Sequence, residues 1–198
     1  MTPAAKPKLA AAVLAGGRSS RMGRDKALLR AGAVRWVDRQ LDLLRALSPD
    51  ELLLSVRAGV DYGCAGVRLV PDATAEAGPL AGLEAVLAAT TAAHVLVVAV
   101  DLPQLELSLL RMLHAQVEPR IGAVAWTERG WEPLVGIYPR EALAVVRERL
   151  RIRRLALRET VEHLHAGGLI RRVGVPPDRQ SQLRNINTPE ELGGSSPG

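Results

Sequence analysis

The stretch "AVLAGGRSSRMGRDK" (residues 12–26) concentrates residue types that handle phosphate. Gly16 and Gly17 lack a Cβ, so backbone N–H groups there can turn toward an anion and form a concavity for phosphate oxygens. Arg21 and Lys26 add mobile positive charge to the same stretch. The spacing fits neither common nucleotide fingerprint. A Walker loop needs Gly-Lys-Ser/Thr, whereas Gly23 is followed by Arg24, Asp25 and Lys26, and Gly-x-Gly-x-x-Gly is absent. By residue type alone, two alternatives stand: a phosphate-holding loop of another kind, or a glycine-rich turn with surface arginines.

Asp101 directly follows the apolar run "VLVVAV". A carboxylate there either caps the following "LPQLELS" or offers a hard oxygen to Mg²⁺, which takes one or two carboxylates plus substrate phosphates. In "GPLAGL" (78–83), Gly78 and Pro79 stand at a helix entry and Gly82 lets another surface come close. Asp72, in "PDAT", reads as a turn residue. In "NINTPEEL" (185–192), Thr188 and Pro189 explain a helix start, but Asn185 and Asn187 need another reason. Glu132, in "WEPL", faces a second substrate or caps locally. Arg147, Arg151, Arg154 and Arg158 share one face of an unbroken helix, as a solvated stripe or an anion cradle. His163 and His165 have no metal-site spacing, nothing in the spacing of His94 and His114 marks a site, and Cys64 reads as a small packing residue.

Such residues need elements to hold them. Runs at 9–14, 51–56, 67–70, 94–100, 121–126 and 134–138 are short and apolar enough for strands covered on both faces. Between them, 36–47, "PLAGLEAVLAAT", "LELSLLRMLHAQV" and "EALAVVRERL" read as amphipathic helices. Strand–helix alternation predicts a three-layer α/β/α, Rossmann-like, mainly parallel sheet with its ligands beyond the carboxyl ends of the strands. One domain over 9–193 with loose tails at 1–8 and 194–198 is expected.

Composition narrows the classes. The single cysteine excludes an internal disulfide, and no signal-like or eighteen-residue apolar run occurs, so a cytoplasmic protein away from membranes is expected. Formal charge is +5, but aromatic residues are 3% with no Phe, poor material for stacking nucleic-acid bases. The basic excess suits a small phosphorylated substrate better.

Five stretches in order, "LAGGRSSRMGRDKALL", "GPLAGL", "VVAVDLP", "WEPLVGIYPR" and "NINTPEEL", resemble the signature of the MobA-like nucleotidyltransferases along nearly the whole chain. The resemblance implies the sheet of the nucleotide-diphospho-sugar transferase type. It implies transfer of GMP from GTP to the terminal phosphate of molybdenum-bearing molybdopterin, with pyrophosphate released and Mg²⁺ as cofactor. Alternatives are CTP as donor, another phosphorylated acceptor, or a GTP-binding regulatory domain; proteins of molybdenum cofactor biosynthesis or its target enzymes would be partners. Carried onto this chain, Leu14, Ala15, Gly16 and Gly17 wrap the nucleotide, Arg21 and Lys26 meet its phosphates, and Asp101 holds the metal. Lys26, Arg21 and Asp101 are then the catalytic set. Ser55 and Asp72 contact the nucleotide, Gly78, Pro79, Leu80 and Gly82 lie near base and ribose, and Glu132, Arg158, Asn185 and Asn187 face the acceptor. Cytidylyl relatives tend toward Ala where this chain has Gly16, so Gly16 favours GTP by leaving room near the base. Guanylyl relatives often carry Asn where this chain has Ser55, a departure from the pattern.

Overall fold

The computed structural model describes residues 8–16, 26–72 and 77–186; residues 1–7 of the expected N-terminal tail, the expected C-terminal tail and the helix start at Thr188 lie outside them. β1 (Leu9–Leu14) is buried along its whole length, with Leu9, Ala11 and Val13 in one apolar cluster and Ala10, Ala12 and Leu14 in another. Cover on both faces is why this strand reads as one apolar run rather than as an alternation. A two-strand hairpin, β2 (Arg30–Ala31) and β3 (Val34–Arg35), leads into α1 (Trp36–Arg45), and β4 (Glu51–Val56) and β5 (Arg68–Pro71) follow. α2 (Pro79–Ala89), β6 (His94–Ala99) and α3 (Leu107–His114) complete the first part. β7 (Gly122–Thr127), β8 (Gly130–Pro139), α4 (Ala142–Arg151), α5 (Leu157–Ala166) and β9 (Ile170–Gly174) form the second.

The main sheet runs β5-β4-β1-β6-β8-β7-β9. β1 is parallel to β4 and β6, β4 to β5, and β7 to β9; β8 is antiparallel to both its neighbours. Trp36, Leu41 and Leu44 of α1 and Leu109 and Leu113 of α3 seal one face. Leu83 of α2, Val146 of α4 and Leu164 of α5 seal the other, giving the expected three layers.

Several expectations need correction. The sixth strand starts at Gly130 rather than 134 and reverses direction, because only two residues separate it from β7. β9 and the β2–β3 hairpin were not expected from the sequence pattern. α2 is buried nearly all round rather than amphipathic, since it packs against both the sheet and α4. The unbroken helix needed for the arginine stripe does not exist. α4 ends at Arg151, Arg153 has φ +56°, and α5 begins at Leu157, so Arg158 belongs to a different helix from Arg147. No helix among the described residues is long and apolar enough to cross a membrane.

Candidate active site

The chain leaves β1 for β4 and β5 on one side, then returns to β6 on the other, so strand order reverses between β1 and β6. A crevice at the carboxyl ends of the strands follows from that reversal. Leu14 is in register with both Ser55 and Ala99, the Ala15 N–H donates to the Ser55 carbonyl at 3.0 Å, and the Val100 N–H donates to the Leu14 carbonyl at 3.3 Å. The cleft opened there measures about 230 Å³, and Leu14, Ala15, Gly16, Lys26, Ser55, Asp72, Gly78, Pro79, Gly82 and Asp101 all line it.

Lys26 opens a short 3₁₀ turn, Lys26–Leu28, whose Ala27 is buried, and its Nζ lies 3.0 Å from Asp101 Oδ2. The side chains keep 22% and 17% of their exposure, so the pair is partly shielded from water yet open to a substrate. Asp101 does not cap the next helix. α3 takes Glu106 as its N-cap residue, and the Asp101 carbonyl instead accepts from the Ile186 N–H at 3.0 Å. That bond brings the segment containing exposed Asn185 back to the cleft. Gly78, with φ +61°, precedes α2 in a conformation that L side chains resist, and Pro79 fills the first helical position, where no N–H is required.

Asp72 follows β5, where its N–H donates to the Val56 carbonyl at 2.9 Å, and its Oδ1 accepts from Ser55 Oγ at 2.5 Å. Burial pushes its carboxyl above its ordinary value, and the Ser55 hydroxyl pulls partly the other way. The expectation that Gly16 leaves room for the base is corrected in its physical reason: a Cβ at Gly16 would overlap Asp72 Oδ2, so the freed space already holds a carboxylate. Leu80 is also corrected. It is wholly buried in the core beneath α2 and does not line the cleft. Gly17, Arg21 and Asn187 lie outside the described residues.

The donor chemistry of the cleft fits Mg²⁺ in one way. No cluster of three His, Cys, Asp or Glu side chains able to hold a metal occurs among the described residues, so these side chains alone make no metal cage. One partly exposed carboxylate beside a lysine is compatible with Mg²⁺ only if phosphate and water oxygens were to supply the remaining ligands.

A second cleft, of about 350 Å³, is lined by Thr127, Arg129, Glu132, Gln180, Ser181, Leu183 and Arg184. Arg158 of α5 reaches it, with one nitrogen 3.8 Å from Glu132 Oε1 and another 3.5 Å from the Arg129 carbonyl. Burial raises the Glu132 carboxyl above its ordinary value, opposed by Arg158 and Arg129. The other arginines of the stripe do not join this cleft. Arg147 pairs with Glu84 and Arg151 with Glu148.

Leu134, Ala99 and Val100 also line the first cleft and went unnoticed in the sequence. Leu134 gets there through a break in register: Val124 pairs with Gly136 but Ala125 pairs with Glu132, leaving Pro133, Leu134 and Val135 unopposed on β7. Proline inside a strand marks such a bulge and was the available signal.

Comparison with known proteins places this geometry among relatives. The family described as the MobA-like NTP transferase domain matches residues 11–167. A probable molybdenum cofactor guanylyltransferase of Opitutus terrae is 38% identical over 186 residues, covering 92% of each chain. A molybdenum cofactor guanylyltransferase of Rhizobium johnstonii is 34% identical over 204 residues, covering 94% of this chain and 91% of its own. Among solved structures, molybdopterin-guanine dinucleotide biosynthesis protein A of Archaeoglobus fulgidus superposes with a TM-score of 0.68 at 21% identity, over 93% of this chain and 95% of its own. The 2-C-methyl-D-erythritol 4-phosphate cytidylyltransferase of Thermus thermophilus also gives 0.68, at 15% identity over 92% and 94%. At those identities the two structures speak for the fold alone.

Proposed function

The chain belongs to the MobA-like NTP transferase family, and from that membership we propose that it transfers GMP from GTP to the terminal phosphate of molybdenum-bearing molybdopterin. The observation that carries the proposal is the Lys26–Asp101 pair in a cleft at the β1/β6 reversal, in a chain 38% identical to a probable molybdenum cofactor guanylyltransferase.

In this reading an oxygen of the acceptor phosphate forms a bond to the α-phosphorus of GTP while the bridging α–β P–O bond breaks and pyrophosphate leaves. The attacking phosphate is already an anion, so no general base is required. Lys26 neutralises charge that builds on the α-phosphate, a contribution larger in the transition state than in the ground state. Backbone groups at Ala15 and Gly16 orient the nucleotide, and Arg21 adds positive charge for its phosphates. Asp101 would hold Mg²⁺, whose chemistry is to neutralise and align the triphosphate oxygens. Glu132, Arg158 and Asn185 face the acceptor. A cytoplasmic setting completes the reading, and Cys64 as a free thiol is in keeping with it.

The test is a competition: molybdenum-loaded molybdopterin, Mg²⁺ and equal GTP and CTP, with the product identified by mass. A GMP adduct is expected. A CMP adduct would overturn the choice of base, and no adduct alongside a working control enzyme would overturn the acceptor.

A further inference from the structure

The peptide carbonyls of Asp101, Leu102 and Pro103 are each held by a donor from another part of the chain. The Asp101 carbonyl accepts from the Ile186 N–H at 3.0 Å, that of Leu102 from Gln40 Nε2 at 2.6 Å, and that of Pro103 from Arg39 Nε at 2.5 Å. Gln40 and Arg39 are neighbours on α1. The same helix holds the other member of the ion pair: the Trp36 N–H donates to the Leu29 carbonyl at 2.8 Å, and the Leu29 N–H donates to the Lys26 carbonyl at 3.1 Å. Trp36 and Gln40 stand about one helical turn apart. One turn of α1 therefore spans the backbone behind Lys26 and the backbone behind Asp101, which lie 75 residues apart in sequence.

Gln40 sits at a costly position. It is 1% exposed among Trp36, Val37, Leu41 and Leu44 on the buried side of α1, and its Oε1 has no hydrogen-bond partner among the described residues. A buried acceptor left unpaired destabilises the fold. The Leu102 carbonyl does not depend on Gln40 for a partner, because it also accepts from the Leu105 N–H at 3.0 Å. An apolar side chain would thus serve the core as well. What Gln40 supplies is a buried tie between α1 and the Asp101 loop, whereas exposed Arg39 makes its bond where water competes.

We propose that Gln40 is a positioning residue for nucleotidyl transfer, acting through Asp101, and that α1 sets the spacing between Asp101 and Lys26. The inference rests on the guanylyl-transfer reading above, in which both side chains serve the triphosphate. Loss of the Gln40 bond frees the Leu102 peptide to rotate, and the Asp101 carboxylate moves with it. Displacements of about 1 Å cost up to about 10²-fold in rate. Gln40 is buried behind the cleft and touches no substrate, so the loss falls on turnover rather than on binding.

Gln40→Leu in the full-length chain tests this by initial rates of GMP transfer, thermal melting and amide hydrogen exchange read by mass spectrometry. kcat is expected to fall about tenfold, with KM for GTP and for the acceptor within about twofold of wild type. The melting temperature should move by less than about 4 °C, because the unpaired Oε1 leaves with the side chain and Leu102 keeps its bond from Leu105. Peptides spanning residues 101–106 should exchange about three- to tenfold faster, the effect of one lost hydrogen bond, while β1 and β6 keep their wild-type rates. If Gln40→Leu does not fold, Gln40→Met, which is unbranched and closer in shape, carries the same test. An unchanged kcat would sink the inference, as would unchanged exchange at 101–106. A loss of kcat accompanied by a larger fall in melting temperature or by a matching rise in KM also overturns it, since either marks a general structural role. A wild-type chain that forms no nucleotide adduct overturns the guanylyl reading and this inference with it. Wild-type turnover that Gln40→Leu leaves intact overturns this inference alone.

Discussion

At the scale of single residues, Lys26 and Asp72 show opposite relations between stability and function. Lys26 is partly exposed, and an ion pair as open to water as the one it makes with Asp101 contributes little to folding. Lys26→Ala should therefore lower kcat by about 10²- to 10³-fold, as removal of a transition-state donor does, while the melting temperature barely moves. Parallel kinetics and thermal melts check this, and a fall in melting temperature proportionate to the lost activity would contradict it. Asp72 is the reverse case. Burial raises its carboxyl in the folded protein, so its favourable contribution is present below the unfolded value, near 4, and is lost as pH rises through the folded value. At neutral pH the ionised carboxylate is a cost to folding. Asp72→Asn keeps an acceptor for Ser55, so it should melt above the wild type at pH 7, with the gain vanishing toward pH 4, and should bind GTP less tightly. Melts across that range with GTP titrations decide the point. Most of these residues were legible in the sequence, because a loop glycine, a strand-end acid and a nearby lysine are chemical signals. That Gly16 makes room for Asp72 was not legible, because it depends on the ends of β1 and β5 meeting across β4.

At the scale of elements, the β8 bulge carries Leu134 into the cleft and leaves the Pro133 carbonyl to find a partner. Tyr138 supplies it, its buried hydroxyl donating at 2.6 Å. Burial also pushes that phenol above its ordinary value, keeping it protonated as the donor. Tyr138→Phe should cost about 1–3 kcal/mol, the price of an unsatisfied buried carbonyl, read as a lower urea midpoint with unchanged slope. A midpoint shift near zero would mean that the carbonyl finds another donor. β1, β4 and β6 were readable because strands covered on both faces carry few charges. β9 was not, because it is an edge strand: Arg171 pairs with Glu118, and Arg172 lies over Trp126 and Trp131 at 5.0 and 5.4 Å. Charges on an edge guard against unwanted pairing and erase the apolar signature. The break between α4 and α5 was hidden for a similar reason, since an arginine in the left-handed region has no mark in composition.

At the scale of the whole molecule, the work is divided between two parts of one sheet. The nucleotide candidates come from β1, β4, β5, α2 and β6, whereas Glu132 and Arg158 come from β8 and α5, across the point where the sheet turns antiparallel. Glu132→Gln and Arg158→Ala should therefore raise KM for the acceptor about tenfold, the size of one charge-assisted contact, and leave GTP binding unchanged. Initial rates at varied acceptor and direct GTP titration separate the two, and a matching loss of GTP affinity would assign both residues to the nucleotide side. The parallel core around β1 and the mainly parallel class were open to reading from strand–helix alternation. The reversal of β8 was not, because it is fixed by a two-residue turn that no periodicity announces.

The hydrogen bond from Ile186 to the Asp101 carbonyl also sets an order in time. A chain emerges from the ribosome N-terminus first, so Lys26, Asp72 and Asp101 are all available before Ile186 has been made. The tie between Ile186 and Asp101 is the last of these contacts to become possible. Nascent chains can assemble the nucleotide wall early, but the cleft gains its final backbone clasp only once synthesis has passed residue 186.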